Sequence, residues 1–132
     1  LNAVYGTLTE FNSFKFNVYS LTYGAADDIS TTAAEQAALG LKSYNFATVQ
    51  VGGTWNALYR TVNTANFLLD RIDNVPMPPD YKNRVKGELS FLRAFAYFYL
   101  VRFFGPVPLR TQATATDSDL YMPRSSVDAV YA

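Results

Sequence analysis

The chain of 132 residues carries 11 basic and 11 acidic side chains, so it has no net charge, and it contains neither cysteine nor histidine. This balance disfavours nucleic acid as a partner, because nucleic-acid binding relies on a cationic surface. Disulfides, thiolate or imidazole catalysis and the commonest metal ligands are excluded within these residues. We therefore expect one domain with no metal, no cofactor and no enzyme activity, with a carboxylate-based glycosidase as an alternative.

The first third of the chain is less regular than the rest. Apolar spacing predicts a helix over residues 1–12, and residues 14–23 either continue it or form a second short helix. Composition predicts a loop over 24–32 and a helical turn over 33–39. Residues 43–53 mix aromatic and β-branched side chains and end in Gly52-Gly53, which favours an extended segment or a loop.

The middle of the chain predicts two helices that pack as an antiparallel hairpin over residues 54–104. The first helix begins at Thr54, its cap, and continues to about Ile72 with apolar residues at three- and four-residue spacing. The second extends from about residue 79 to 104, where Gly105 and Pro106 end it. The short connection between them implies antiparallel packing. The hairpin has the size of a tetratricopeptide unit but lacks that repeat's consensus.

Side chains within the hairpin lead to further predictions. The chain has ten Phe, ten Tyr and one Trp, and we expect most of them in the core, including Phe91, Phe95 and Phe98. Asn63 and Asn66 are poor helix formers at mid-helix positions, so we expect them to hydrogen-bond to a neighbouring element.

Residues 107–123 read as a loop, and Ser125 with Asp128 three residues later predicts the capped start of another helix. Only about two turns of that helix fit before Ala132, which is too short to be stable alone. We therefore expect the chain to be a fragment of a larger domain.

Two stretches resemble the SusD/RagB family of outer-membrane nutrient-binding lipoproteins. They are Trp55-x2-Leu58-Tyr59-x3-Asn63-x2-Asn66-Phe67-Leu68-Leu69, and the string from Gly87-Glu88 through Phe91-Leu92-Arg93-Ala94 to Phe104-Gly105-Pro106-Val107-Pro108-Leu109. Arg124-Ser125-Ser126 with Tyr131 is similar to the segment that follows them in the family. Leu89 and Pro106 depart from the family pattern, which usually has a small and an acidic residue there.

The resemblance implies a mainly α-helical fold of tetratricopeptide-like hairpins, a SusD-like α-α superhelix, with residues 1–132 as the N-terminal part of its domain. It implies a non-catalytic, cell-surface protein of the outer membrane in Bacteroidota-type bacteria that binds oligosaccharides and partners a SusC-like TonB-dependent transporter. Contact with the membrane would be only through an N-terminal lipid anchor outside this sequence. Binding of peptides or another nutrient, and a tetratricopeptide-like protein–protein interaction domain, are the alternatives.

By the same resemblance, ligand residues are expected in loops rather than in the helical core. Asp27 and Asp28 can accept hydrogen bonds from sugar hydroxyls, and Trp55 can stack on a sugar ring with Asn56 beside it. Tyr44 and Asn45 complete the candidate ligand-binding set. A solvated loop or a helix cap is the alternative for the aspartates, and a core position for Trp55.

Four further residues are predicted to be structural. Arg93 lies within an apolar surface and needs a carboxylate or several carbonyls; we expect a salt bridge with Glu88, Asp70 or Asp73. Gly87 is expected to let another helix approach closely, and Gly105 to end the second helix.

Overall fold

The structure, a computed structural model, describes residues 1–24, 26, 41, 43, 45, 47–116 and 121–132. These residues are mainly helical, as the sequence predicts. The helices are α1 (Asn2–Thr9), α2 (Tyr19–Tyr23), α3 (Val49–Leu69), α4 (Pro79–Phe104) and α5 (Val127–Tyr131), with a π-helical segment at Phe11–Val18 and a 3-10 turn at Ile72–Asn74. The chain divides into two compact units, Leu1–Tyr5 with Leu58–Ala132, and Gly6–Ala57.

In the first unit, α4 has the predicted bounds. It begins with Pro79, where the missing N–H of proline is harmless, and Asp80 lies in its first turn. Gly105 follows with φ of 67° and donates its N–H to the Val101 carbonyl oxygen. This left-handed conformation strains any residue with a Cβ, so the prediction that Gly105 ends the helix is confirmed.

The contacts between α3 and α4 occur in opposite chain order. Asn66 Oδ1 accepts a hydrogen bond from Arg93 Nη1 at 2.8 Å. Tyr59 lies earlier in α3 and Tyr97 later in α4, and the centroids of their rings are 6.4 Å apart. The antiparallel hairpin is therefore confirmed. Its core consists of fully buried side chains at the predicted spacing: Leu58, Val62 and Ala65 from α3, and Leu89, Ala96 and Leu100 from α4.

The prediction that Phe91 and Phe98 lie in the core is wrong for the described residues. Phe91 and Phe98 are 66% and 41% exposed. At 100° per residue they lie on the side of α4 opposite Leu89, Ala96 and Leu100, which face the hairpin core. One side of the helix is thus packed and the other carries exposed rings.

The start of α3, in the unit Gly6–Ala57, also differs from the prediction. The helix begins at Val49, so Gly52 and Gly53 lie inside it, and Thr54 is a fully buried helical residue rather than the cap. The preceding turn explains the earlier start: the Asn45 N–H donates to Thr48 Oγ1 at 3.0 Å, and the Thr48 carbonyl accepts from the Gly52 N–H at 3.2 Å. At its other end α3 stops at Leu69, three residues before the predicted Ile72, which opens the 3-10 turn.

The other predicted elements of that unit are confirmed in part. α1 lies within the predicted helix 1–12, and residues 14–23 form a helical stretch that the non-helical Ser13 (φ −111°, ψ −129°) separates from the residues before it. Asn17, almost fully buried, donates from Nδ2 to the Asn12 carbonyl at 2.8 Å. The predicted helical turn at 33–39 and most of the loop at 24–32 lie outside the described residues.

Near the end of the chain, Ser126 rather than Ser125 caps α5. Its hydroxyl accepts the Ala129 N–H, whereas Ser125 pairs with Val107 in an isolated antiparallel bridge. The backbone of Ser125 is committed to that bridge, so the cap falls one residue later. α5 packs on α4. Among the helices in the described part of the chain, none is both long and apolar enough to span a bilayer.

Candidate functional site

The residues after Gly105 are held on the hairpin by side chains that hydrogen-bond to main-chain atoms. The set, which we call the backbone clamp, consists of Tyr59, Asn63, Asn66, Asp70, Arg93 and Tyr97. Their partners are main-chain groups between residues 108 and 114. The clamp contacts the backbone, so it tolerates variation in the side chains of the segment it holds.

Asn66 is the centre of the clamp and is fully buried. Its Nδ2 donates to the carbonyls of Arg110 and Gln112, both at 3.1 Å, and its Oδ1 accepts from Arg93 Nη1 at 2.8 Å. An amide can make these bonds because it donates and accepts at once. The expectation that mid-helix asparagines bond to a neighbouring element is confirmed for Asn66, and for Asn63, whose Oδ1 accepts the Thr114 N–H at 2.9 Å.

The predicted salt bridge of Arg93 is wrong. Arg93 Nη1 donates to Asn66 Oδ1 and, at 3.2 Å, to the Thr111 carbonyl, and no carboxylate among the described residues pairs with it. The Asn66 side-chain amide and the Thr111 peptide group supply oxygen acceptors to the Arg93 side chain, which is only half-buried. A charged partner is therefore not required.

The three carboxylates proposed for Arg93 have other partners. Glu88 Oε1 accepts from Arg84 Nε at 3.0 Å, and Asp70 Oδ2 accepts the Ala113 N–H at 3.1 Å. Asp73 pairs with Lys86, 2.6 Å from its Nζ, and the hydrogen bond from Lys86 lowers the pKa of Asp73.

Two tyrosines form the other end of the clamp. The Tyr59 hydroxyl donates to the Pro108 carbonyl at 2.7 Å, and the Tyr97 hydroxyl donates to the Arg110 carbonyl at 3.0 Å and accepts the Arg110 N–H at 2.6 Å. Burial raises the pKa of both hydroxyls, and for Tyr59 the neighbouring Tyr97 adds to the effect. Both phenols therefore stay protonated and can donate.

The clamped segment borders two open depressions in the first unit. One, of about 410 Å³, is lined by residues of the segment 109–115 together with Met122. The other, of about 590 Å³, is lined by Phe67, Asp70, Arg71 and the backbone region 113–115. The Arg71 guanidinium lies over the Phe67 ring, 3.7 Å from its centroid. These surfaces were not predicted, because they depend on the path of the segment after α4.

Three of the six predicted ligand residues, Asn45, Trp55 and Asn56, are among the described residues. Asp27, Asp28 and Tyr44 lie outside the described residues. Asn45 is exposed, and its Oδ1 accepts the Ala47 N–H at 2.8 Å, which fixes the turn before α3.

Trp55 is partly buried and Asn56 is exposed, and both lie in α3, within the helix predicted from Thr54 and not in a loop. Trp55 is the sixth residue after Val49, which puts it about 9 Å along the helix axis from the start of α3. The role of this set in ligand binding stays a prediction.

The predicted role of Gly87 is wrong. The residue is exposed, and a Cβ built on it would meet no atom of the described residues within 4 Å. No helix of the described chain approaches there. Glu88 beside it is bonded to Arg84 and accepts from the Tyr5 hydroxyl at 3.4 Å, which agrees with a structural position.

The hairpin and its clamped segment define a mainly helical scaffold of tetratricopeptide-like type. The chain belongs to the SusD-like family: residues 2–132 match the family model described as "Starch-binding associating with outer membrane".

The relatives that this chain matches are longer proteins. It is 40% identical over 77 residues to SusD-like protein P38 of Formosa agariphila, covering 58% of this chain and 15% of that protein. It is 28% identical over 83 residues to SusD-like protein P25 of the same organism, covering 62% and 16%. A crystal structure of a SusD-like protein from Bacteroides fragilis matches the fold, with a TM-score of 0.77 and 23% identity over 98% of this chain and 25% of that one. The chain thus spans about a sixth to a quarter of these relatives.

Proposed function

We propose that this chain is the N-terminal part of a cell-surface protein of the outer membrane that binds oligosaccharides and delivers them to a SusC-like TonB-dependent transporter. The observation that carries the proposal is the match of residues 2–132 to a family model described as starch-binding and associating with the outer membrane. A lipid anchor outside this sequence would attach the protein to the membrane.

Binding without chemistry is the form of this function that the residues favour. Three of the hairpin carboxylates, Asp70, Asp73 and Glu88, are engaged with a backbone N–H, with Lys86 and with Arg84, respectively. A general acid in glycoside hydrolysis needs a raised pKa, whereas the bond from Lys86 lowers the pKa of Asp73. We therefore propose a non-catalytic role.

Trp55, Asn56 and Asn45, with Asp27, Asp28 and Tyr44 before them, are the proposed ligand residues. A partly buried indole can stack its accessible face on the C–H face of a sugar, and an exposed amide can donate to one hydroxyl and accept from another. Side chains of α3 are held by a helix, so they would be preorganised for binding.

The test is affinity electrophoresis of the full-length protein through gels that contain starch or other polysaccharides. We expect retardation, lost on Trp55→Ala and reduced on Asn56→Ala. Tyr81→Ala and Asn83→Ala are matched controls, since both change exposed residues of α4. A melting curve for each variant separates lost binding from lost folding. If none of a broad polysaccharide panel retards the protein, the glycan proposal is wrong.

A peptide ligand is the second candidate, and one observation favours it. The backbone clamp binds an extended peptide segment through main-chain groups, as a peptide receptor does. In this chain, however, its own residues 108–114 occupy those groups, so the glycan proposal ranks first. Pulldown with a peptide library beside a glycan array distinguishes the two ligands.

A further inference from the structure

The larger of the two depressions beside the clamped segment, which we call the Arg71 depression, is lined by Phe67, Asp70, Arg71 and residues 113–115. Arg71 is exposed, its guanidinium carbon lies 3.7 Å from the centroid of the Phe67 ring, and its Nη1 donates to the Phe67 carbonyl at 3.3 Å. A guanidinium in contact with a ring is restrained on one side of its plane, and the N–H groups at its edges keep their fixed fork. Arg71 therefore presents donors to the depression in a held orientation.

Arg71 differs from other cations of the hairpin because it has no carboxylate partner. Lys86 is paired with Asp73 and Arg84 with Glu88, whereas no carboxylate among the described residues pairs with Arg71. A side chain that is already held loses little rotamer freedom when a ligand binds to it. The unpaired guanidinium is therefore suited to an anionic group, which it can bind with two parallel hydrogen bonds.

A second guanidinium reaches the same depression. Arg110 Nη1 donates to Thr114 Oγ1 at 3.3 Å, and Thr114 is one of the lining residues. In the described part of the chain no carboxylate pairs with Arg110 either. Asp70 is the carboxylate among the described lining residues, and its Oδ2 accepts the Ala113 N–H at 3.1 Å. Two guanidiniums thus face one carboxylate, which leaves the depression locally positive although the chain has no net charge.

The other lining groups fit a sugar better than a bare anion. Phe67 is 46% exposed, so part of its ring offers apolar surface to the C–H groups of a sugar. The Thr114 hydroxyl acts as an acceptor toward Arg110, so its own O–H is available to a sugar hydroxyl. A volume of about 590 Å³ lies within the range of small-molecule sites.

We propose that the Arg71 depression is an additional glycan subsite that binds an acidic sugar, that is, one carrying a carboxylate or a sulfate group. Arg71 binds the anionic oxygens, Arg110 adds a second positive charge, and Phe67 is a positioning residue that holds the Arg71 guanidinium. The inference rests on the proposed function and names the chemical class of the glycan. None of the six predicted ligand residues lines the depression.

Affinity electrophoresis of the full-length protein tests the proposal with polysaccharides of different charge. Starch is neutral, alginate and polygalacturonate carry carboxylates, and κ-carrageenan and dextran sulfate carry sulfates, so the arms distinguish the two acidic groups. The mobility of each variant is divided by its mobility in a gel without polysaccharide, which corrects for the charge lost on substitution. We expect an acidic polysaccharide to retard the protein more than starch does, and the retardation to decrease as salt is added.

Arg71→Ala should raise the dissociation constant for that acidic polysaccharide at least about tenfold, since it removes charge-assisted hydrogen bonds. Arg84→Ala is the matched control, because it removes the same charge from an exposed arginine that does not line the depression. It should change the constant by less than about twofold. Arg110→Ala should weaken binding by about threefold, through the loss of a more distant charge. A melting curve for each variant shows that it is folded.

Phe67 is tested by a pair of variants. Phe67→Leu removes the ring under the guanidinium and should weaken binding of the acidic polysaccharide by about threefold, whereas Phe67→Tyr keeps the ring and should bind like the parent protein. Starch binding should be the same in both variants. Equal weakening by Leu and Tyr would contradict the positioning role.

Three results would overturn the proposal. One is equal binding of acidic polysaccharide by Arg71→Ala and Arg84→Ala. Another is retardation by starch but by none of the four acidic polysaccharides, which would leave the proposed function standing, whereas retardation by no polysaccharide would refute that function itself. The third is displacement of the acidic polysaccharide by poly-glutamate as effectively as by its own oligosaccharides, because the depression would then bind anions without recognising the sugar.

Discussion

Replacing Asn66 with alanine removes the centre of the backbone clamp and leaves its partners without their bonds. The side chain is fully buried and makes three hydrogen bonds, to the Arg110 and Gln112 carbonyls and to Arg93. Two neutral bonds contribute about 1 kcal/mol each, and the charge-assisted one about 1.5–3 kcal/mol. Alanine regains about 0.5 kcal/mol through its higher helix propensity. The expected loss in the free energy of unfolding is therefore about 3–4.5 kcal/mol, or a fall in Tm of roughly 10–20 °C.

Urea unfolding followed by circular dichroism measures this loss, and hydrogen exchange locates it. The Thr114 N–H, which bonds to Asn63 at 2.9 Å, should lose protection in the Asn66→Ala protein because the segment is no longer anchored at its centre. Asn83→Ala is the matched control, since it changes an exposed asparagine in α4. It should be neutral or stabilising by about 0.5 kcal/mol.

A double-mutant cycle with Arg93→Ala isolates the central contact. Arg93 also donates to the Thr111 carbonyl, so each single variant loses other hydrogen bonds besides the one between Asn66 and Arg93. The double-mutant cycle subtracts those other losses. We expect a coupling energy of about 1.5–2 kcal/mol. A coupling below about 0.5 kcal/mol, or an Asn66→Ala protein as stable as the Asn83→Ala control, would refute the role assigned to the clamp.

Three further predictions follow from single residues. Burial raises the pKa of Tyr59, so the stabilising contribution of its hydroxyl is complete below the ordinary pKa near 10 and is lost as pH rises above that value. The urea midpoint should therefore fall as pH rises through that range, and it should fall less steeply for Tyr59→Phe. Equal slopes of midpoint against pH in the two proteins would count against this assignment. Gly105→Ala should lower the free energy of unfolding by about 1–3 kcal/mol because Gly105 has a positive φ. Gly87→Ala, in open space, should raise it by about 0.5–1 kcal/mol. Shifts of melting temperature with the same sign would contradict the assigned backbone conformations. Gly53→Ala should destabilise the protein because the new methyl group meets the buried amide of Asn17, whereas Gly52→Ala should stabilise it by about 1 kcal/mol. Thermal unfolding compares the two variants. Equal shifts in melting temperature would contradict the close contact at Gly53.

Local signals explain what the sequence could predict of the fold. The bounds of α4 follow from proline in the first turn and the Gly105-Pro106 stop, both of which act on the backbone next to them. The hairpin follows from two apolar stripes and a short connection. Asn66 was identified as a residue with a partner on another element because an asparagine costs stability inside a helix unless its side chain is used.

Features that depend on distant parts of the chain could not be read locally. The acceptors of Arg93 include a carbonyl 18 residues later, brought there by an irregular segment, and charge pairing alone favoured the carboxylates. The Gly52-Gly53 pair indicated a loop, but the turn between Asn45 and Thr48 starts the helix before it. Apolar spacing predicted that Phe91 is buried, but spacing does not say on which side of α4 other elements pack, and the ring is 66% exposed.

Most of the residues that hold the clamped segment lie in the two stretches that carry the family resemblance. Tyr59 and Asn66 belong to the first resembling stretch and Arg93 and Tyr97 to the second, and all four bond to the main chain between residues 108 and 112 or to one another. A main-chain carbonyl is the same for any side chain, so these contacts impose a path on the polypeptide without selecting a ligand. The resemblance therefore identifies the scaffold, and under the proposed function the choice of nutrient would depend on side chains outside the clamp. Exchanging those between relatives should change the ligand, whereas exchanging clamp residues should change only stability.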